Sequence, residues 1–180
     1  VEQTTELPSR GAIVVDKVTF GYAGSDRPAL RDISISVADG ERLALVGPTG
    51  AGKSTLAKLM ARLYDPSAVD GVAGSVSFGG VDLRLSSMSD LRRRIIVVPQ
   101  EGFCFGGTIR ENICLGERAV SEERLGNALF ISGFLEVLQR FPLGLDTEVS
   151  DFLSRMSGGE KQRLVLARTL YSNPKIIILD

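Results

Sequence analysis

Apolar and polar positions alternate or recur along most of this chain, and the spacing changes from element to element. Residues 12–22 read as a strand, with Val14, Val18 and Phe20 among the apolar positions. Residues 33–37 alternate cleanly between Ile or Val and Ser, which predicts a half-buried antiparallel strand. Asp39-Gly40 supplies a turn. The run Leu43, Ala44, Leu45, Val46 is apolar throughout and predicts a buried strand. Beyond it, Leu56, Leu59, Met60 and Leu63 recur at i, i+3, i+4 and i+7, the period of one helix face. Residues 76–78 and 81–83 flank Gly79-Gly80 and predict a short hairpin.

Further on, residues 89–94 have helix-start character, with Ser89 as the expected N-cap and Asp90 in the first turn. Residues 95–98 are a short apolar run, as in a buried parallel strand, ending at Pro99-Gln100. Helical patterns then dominate from 101 to 156, including 121–129 and 133–141, broken by Pro142 and Gly144. Ser157 opens a helix running through Leu164, Ala167 and Leu170 to Tyr171, and Asn173-Pro174 closes it. Residues 175–179 form a last apolar run, capped by Asp180. Residues 1–11 are polar, aperiodic and carry a proline, so they read as a linker or tail.

Composition adds bounds rather than a function. The chain has 180 residues, 43% of them hydrophobic and 24% charged, which fits a globular domain with a substantial core. A net charge of −1 leaves no electrostatic footprint for nucleic acid, and none is expected as a partner. The basic triplet Arg92-Arg93-Arg94 reads as a solvated helix face. Cys104 and Cys114 fit no metal-ligand spacing and read as reduced thiols. The most apolar segment is far shorter than the ~20 residues that span a bilayer, so any membrane connection is expected through a partner or through other chain. The sequence contains no histidine, which removes an imidazole base from its own chemistry.

The chemistry concentrates at residues 47–55. Gly47, Pro48, Thr49, Gly50, Ala51, Gly52, Lys53, Ser54 and Thr55 fit the phosphate-binding form G-x-x-x-x-G-K-[ST] between a predicted strand and a predicted helix. A polyphosphate is an anion that needs many donors at close range. Glycines let the backbone curl so that N–H groups face it. The helix start near Gly52 aims its positive dipole end the same way. Lys53 adds a mobile cation, and Ser54 offers a hydroxyl to Mg²⁺.

Two further segments answer to the same chemistry. An apolar strand ending in Asp180 places a carboxylate where it can hold Mg²⁺ beside the phosphates, the Walker B form. Ser157-Gly158-Gly159-Glu160 makes a second helix start with anion-binding character, although a capping box between Ser157 and Glu160 explains the same residues more simply.

Together these motifs, in this order, resemble the nucleotide-binding domain of an exporter-type ATP-binding cassette (ABC) transporter. The resemblance runs from about residue 12 to residue 180. Residues 18–22 resemble the A-loop, which implies that Tyr22 stacks on adenine. Gln100 sits where the family's Q-loop glutamine links Mg²⁺ to the transmembrane interface. Residues 107–113 resemble the exporter segment that follows, and the sequence Met-Ser-Gly-Gly-Glu at 156–160 resembles the LSGGQ signature.

The resemblance implies an α/β fold: a P-loop NTPase core with a parallel sheet, an antiparallel β subdomain and an inserted helical subdomain. The expected organisation is a tail over 1–11, the β subdomain and first part of the core over 12–100, the helical subdomain over 101–156, and the signature helix with the Walker B strand over 157–180. It also implies ATP and Mg²⁺ as ligands, with Ser54, Gln100 and Asp180 at the metal. Two such domains, identical or not, would pack head to tail. Ser157, Gly158, Gly159 and Glu160 of one would then cap the nucleotide on the P-loop of the other. The transporter's transmembrane domains are implied as partners, placing the domain at the cytoplasmic face of a membrane.

Departures from the family pattern carry expectations of their own. Residues 147–153 match the exporters' TEVGERG loop only at its start, since Ser150, Asp151, Phe152 and Leu153 replace Gly, Glu, Arg and Gly. The family's catalytic glutamate is expected directly after Asp180 and the H-loop histidine further on, so poor turnover is expected of these 180 residues alone. A soluble ABC ATPase without a transport role, and an ATP-binding regulatory half of a heterodimeric transporter, are the alternative readings.

Overall fold

The structure is a computed structural model and describes residues 5–67, 74–100, 102–117, 119–150 and 156–180. The fold is mixed α/β and separates into two compact units, residues 1–97 with Asp180, and residues 98–179. This is the fold class expected from the motifs.

The first unit is organised by β1 (Ile13–Phe20), which pairs antiparallel with β2 (Leu30–Val37) on one side and β3 (Ser75–Phe78) on the other. β4 (Val81–Asp82) extends the sheet to the order β2-β1-β3-β4. The buried positions of β1 are Ile13 and Val15, then Val18 and Phe20. That switch from odd to even numbers would turn the second pair to solvent in a regular strand. A register shift between Val15 and Val18, with Lys17 at φ 47°, absorbs the extra residue and keeps all four on the core face. The β3–β4 turn has Gly79 at φ 56° and Gly80 at φ 83°, the left-handed pair that a two-residue hairpin requires.

Residues 5–10, expected as linker, dock onto this unit. Leu7 is buried and its N–H donates to Asp90 Oδ2 at 3.1 Å, while Arg94 donates to the Pro8 carbonyl at 2.9 Å. Arg94 also pairs with Asp90 at 2.9 Å, and Arg92 donates to the carbonyls of Ala61 and Arg62. The basic triplet is therefore not a uniformly solvated face: Arg92 and Arg94 are committed to distant carbonyls and a carboxylate, and Arg93 donates to the Ser89 carbonyl one turn back at 3.3 Å. α2 (Met88–Arg94) starts from Ser87 rather than Ser89, because Ser87 Oγ is the one that accepts from Asp90 N–H.

Two other expectations change. Residues 41–46 form no strand, and Leu43, Leu45 and Val46 are exposed. A buried parallel strand needs hydrogen-bonded neighbours, and none of the described strands pairs with this run. α1 (Lys53–Met60) buries Leu56, Ala57, Leu59 and Met60 but stops before Leu63. Arg62 turns left-handed at φ 49° and sends its guanidinium to the carbonyls of Leu83 and Ser86, leaving Leu63 half-exposed.

β5 (Ile95–Val98), a short and wholly apolar strand, closes the first unit, and β6 (Ile176–Leu179), equally apolar, lies in the second. The second unit is otherwise helical: α3 (Ile109–Cys114), α4 (Glu122–Ile131), α5 (Phe134–Leu138) and α6 (Gly158–Tyr171). Ser121 caps α4, and Gly133 at φ 67° opens α5, which ends sooner than the pattern implied. Ile109, Ile113, Leu125, Phe134, Leu164 and Ala167 meet in one core, so α6 packs on α3, α4 and α5. The departing loop residues Asp151, Phe152 and Leu153 lie outside the described residues.

Candidate nucleotide-binding site

The phosphate-binding loop is shaped by its own backbone. Gly50 and Gly52 lie at φ 84° and 88°, and Ala51 N–H donates to the Pro48 carbonyl at 3.2 Å to close the turn. Gly52 is the N-cap of α1 and offers no side-chain cap, so the first N–H groups of that helix are left for a ligand. The two left-handed glycines are the ones the conformation demands; Gly47 is not left-handed. Residues 47–51 are exposed, as a loop that receives a large anion must be.

Lys53 folds back over this loop. Its Nζ donates to the carbonyls of Gly47 and Pro48, each at 2.9 Å. The ammonium is thus held at the centre of the curl rather than extended into solvent. Ser54 Oγ donates to Asp180 Oδ1 at 2.6 Å. Both are hard oxygen donors, the kind Mg²⁺ takes. Among the described residues there is no cluster of three or more His, Cys, Asp or Glu side chains. Mg²⁺ commonly binds through one or two protein oxygens together with substrate phosphates and water, so this sparse donor set fits it.

Tyr22 belongs to the same unit. Its hydroxyl shares a hydrogen bond of 3.1 Å with Thr55 Oγ1, a buried group on α1. Its ring stands nearly perpendicular to those of Phe20 and Tyr64, at centroid distances of 5.0 and 5.5 Å. Tyr64 did not stand out in the sequence. An aromatic just beyond the P-loop helix was the only signal, and it lies outside every motif.

In the second unit, α6 opens with the expected capping box. Ser157 Oγ accepts from Glu160 N–H at 3.3 Å and the Glu160 carboxylate accepts from Ser157 N–H at 2.9 Å. Arg140 adds an ion pair to Glu160 at 2.6 Å. Glu160 has a pKa below its ordinary value, chiefly because the Ser157 N–H stabilises the carboxylate, with Arg140 adding to it. Gly158 and Gly159 have no left-handed φ, and a Cβ at either would meet no atom within 4 Å. Nothing described in the chain itself explains glycine at those two positions.

Gln100 lies exposed just after β5, and its carbonyl accepts from Gln162 on α6 at 2.9 Å. The loop beyond it is shaped by two residues outside the sequence motifs' expected roles. Asn112 accepts from Phe105 N–H at 2.8 Å, and Arg168 donates to the carbonyls of Asn112 and Phe103 at 2.7 and 2.9 Å. Phe103 and Phe105 remain exposed, edge-on to one another at 5.1 Å. The structure brings Tyr22, the P-loop and Asp180 into one unit, and Gln100 with the signature residues into the other.

This arrangement defines a P-loop nucleotide-binding protein, and comparison with known proteins narrows the class. The profile of the ABC transporter family matches residues 30–180. An ATM1-type heavy metal exporter of Novosphingobium aromaticivorans is 40% identical over 99% of this chain and 29% of its own length. An ATP-dependent lipid A-core flippase of Burkholderia pseudomallei is 42% identical over 94% of this chain and 28% of its own length. Among solved structures, a bacterial Atm1-family ABC exporter with ATP bound is 39% identical, with a TM-score of 0.88 over 100% of this chain and 31% of that chain. The chain belongs to the ABC transporter family. It spans less than a third of the length of these relatives, and it matches their nucleotide-binding domains. Among the described residues, no helix is long and apolar enough to cross a membrane.

Proposed function

We propose that this chain binds Mg²⁺–ATP and, as part of a larger exporter, powers movement of a substrate across a membrane. The observation that carries the reading is the convergence of Lys53, Ser54 and Asp180 on a loop whose backbone N–H groups are free of side-chain caps. Lys53 and the α1 N-terminus would hold the outer phosphates; Ser54 and Asp180 would hold the metal; Tyr22 would carry the base. Mg²⁺, when bound, neutralises developing charge on the phosphates.

The exposed start of α6 supports a second contact, made in trans. Glycine at 158 and 159 lets another surface approach the helix N-terminus closely, where its dipole favours an anion. A neighbouring domain's nucleotide has that chemistry. ATP would thus bridge two domains, identical or not, and loss of the γ-phosphate would release them. The exposed Phe103 and Phe105 beside Gln100 offer an apolar surface suited to the transmembrane domains. On this reading the domain would work at the cytoplasmic face of the membrane that the transporter spans.

The test is calorimetric titration of the chain with ATP in the presence of Mg²⁺. Lys53→Ala is expected to weaken binding at least about tenfold, since it removes a charge-assisted contact to phosphate. An unchanged affinity would overturn the assignment. A phosphate-release assay on the same preparation tests the finer expectation that turnover by these 180 residues alone is slow.

A further inference from the structure

Tyr22 is a half-exposed aromatic whose use as a platform for a flat base depends on which way its ring faces. A tyrosine free to rotate would lose part of its binding energy to ordering. The structure restrains this ring from three sides. Thr55, on the P-loop helix, holds the hydroxyl at 3.1 Å. Phe20 meets the ring at 5.0 Å with an interplanar angle of 85°. Tyr64 meets it at 5.5 Å and 88°, and itself lies 5.3 Å from Phe20. Phe20 is buried and fixed by the sheet, whereas Tyr64 is 42% exposed and lies beyond the end of α1.

Tyr64 is nevertheless held in place. Ser67 N–H donates to the Thr19 carbonyl at 3.0 Å, and Gly21 N–H donates to Ser67 Oγ at 3.4 Å. These bonds stitch the segment after Tyr64 to the strand end that carries Phe20 and Tyr22. Such supports around a contact residue are what convert a present side chain into an oriented one. No sequence motif and no phosphate chemistry requires an aromatic at position 64.

We infer that Tyr64 is a positioning residue for Tyr22, fixing its ring as the platform for the flat heteroaromatic base of the bound nucleotide. It acts through ring-to-ring contact, so its hydroxyl is dispensable, and it acts on the base rather than on the phosphates. This rests on the nucleotide reading above and extends it to a residue outside the P-loop and the A-loop.

The experiment titrates the full chain with ATP and, in parallel, with inorganic tripolyphosphate, which carries the phosphates without the base. Tyr64→Leu is expected to weaken ATP binding about two- to tenfold, the range for an aromatic pair, while leaving tripolyphosphate binding unchanged. Tyr64→Phe should retain wild-type affinity for both. In a Tyr22→Ala background, Tyr64→Leu should cause no further loss, since its effect passes through Tyr22. Equal weakening for both probes, a Tyr64→Phe variant as weak as Tyr64→Leu, or an additional loss in the Tyr22→Ala background would each overturn the inference. So would Tyr64→Leu binding ATP as wild type while Tyr22→Ala does not; in that case the nucleotide reading survives alone. A wild-type chain that binds neither probe overturns both.

Discussion

Ser54 and Asp180 lie 126 residues apart in the chain, and the serine hydroxyl donates to the aspartate carboxylate at 2.6 Å. The P-loop hydroxyl and the carboxylate that follows β6 are therefore already together. If one Mg²⁺ engages both, removing either group should reduce only the part of nucleotide affinity that the metal provides. Ser54→Ala and Asp180→Asn are each expected to weaken ATP binding about tenfold with Mg²⁺, and to leave binding in EDTA nearly unchanged. The double variant should be little worse than either single one, because both act through one ion. Equal losses with and without Mg²⁺ would show that the pair shapes the loop instead.

Gly50 and Gly52 are both left-handed, but their surroundings differ. A Cβ at Gly50 would meet nothing within 4 Å, whereas one at Gly52 would sit 2.6 Å from Leu30 Cδ2 and 2.8 Å from the Ala29 carbonyl oxygen. Gly50→Ala should cost about 1–2 kcal/mol, the left-handed penalty alone. Gly52→Ala adds a steric clash worth roughly another 1–3 kcal/mol and moves the start of α1. Urea unfolding of the two variants checks the order. Equal midpoints would mean that the Leu30 side chain and the Ala29 backbone yield without cost.

Where local chemistry decides an element, the sequence sufficed. The Gly79-Gly80 hairpin, the alternation in β2 and the Ser157–Glu160 capping box were all legible, since each depends on residues within four positions of one another. The misread features were decided by distant partners. Leu63 continues the helical period, yet α1 ends at Met60: Arg62 turns left-handed, Leu63 N–H closes back on the Lys58 carbonyl at 2.8 Å, and the Arg62 guanidinium reaches the carbonyls of Leu83 and Ser86 across the unit. Residues 5–10 look like a linker until Asp90 and Arg94 capture their backbone. In the candidate site, the P-loop, Asp180 and residues 157–160 are legible because each fits a motif by its spacing. Tyr64 and Arg168 fit none, and Asn112 lies in a motif that does not announce its bonds to Phe105, because what these residues do depends on folded geometry.

Glu160 gives the start of α6 a pH dependence. The Ser157 N–H, with help from Arg140, holds its pKa below the ordinary 4.5 in the folded chain. A lowered folded value means that the ionised carboxylate favours the native state. That contribution is complete above pH about 4.5 and is lost as the pH falls through the folded value. The stability difference between wild type and Glu160→Gln should therefore be present at pH 7 and vanish in acid. Ser157→Ala removes an uncharged cap that also lends a little to the low Glu160 pKa, so most of its cost of about 0.5–2 kcal/mol should remain in acid. Thermal melts at pH 7 and in acid separate the two behaviours; a Glu160→Gln difference that persists in acid would exclude ionisation as its source.

Arg168 governs the loop that follows Gln100. Its guanidinium donates to the Asn112 carbonyl at 2.7 Å, to Asn112 Oδ1 at 3.0 Å and to the Phe103 carbonyl at 2.9 Å. It also lies 4.9 Å from the centre of the Phe105 ring. Burial pushes its pKa down from the ordinary value, while Cys104 opposes that shift. A lysine keeps the charge but not the planar fork, so it can neither serve all three oxygens in that geometry nor stack on Phe105. Arg168→Lys should cost about 1–3 kcal/mol in urea unfolding. The loss should be felt locally too. Cys104 is half-buried in this loop, and burial holds its thiol above the usual range, which keeps it sluggish toward a disulfide reagent. Loosening residues 103–105 exposes that thiol, so the variant's Cys104 should react faster than wild type under native conditions, measured with Cys114 replaced by Ala in both. A variant with an unchanged urea midpoint and an unchanged thiol rate would show that Asn112 alone holds the loop.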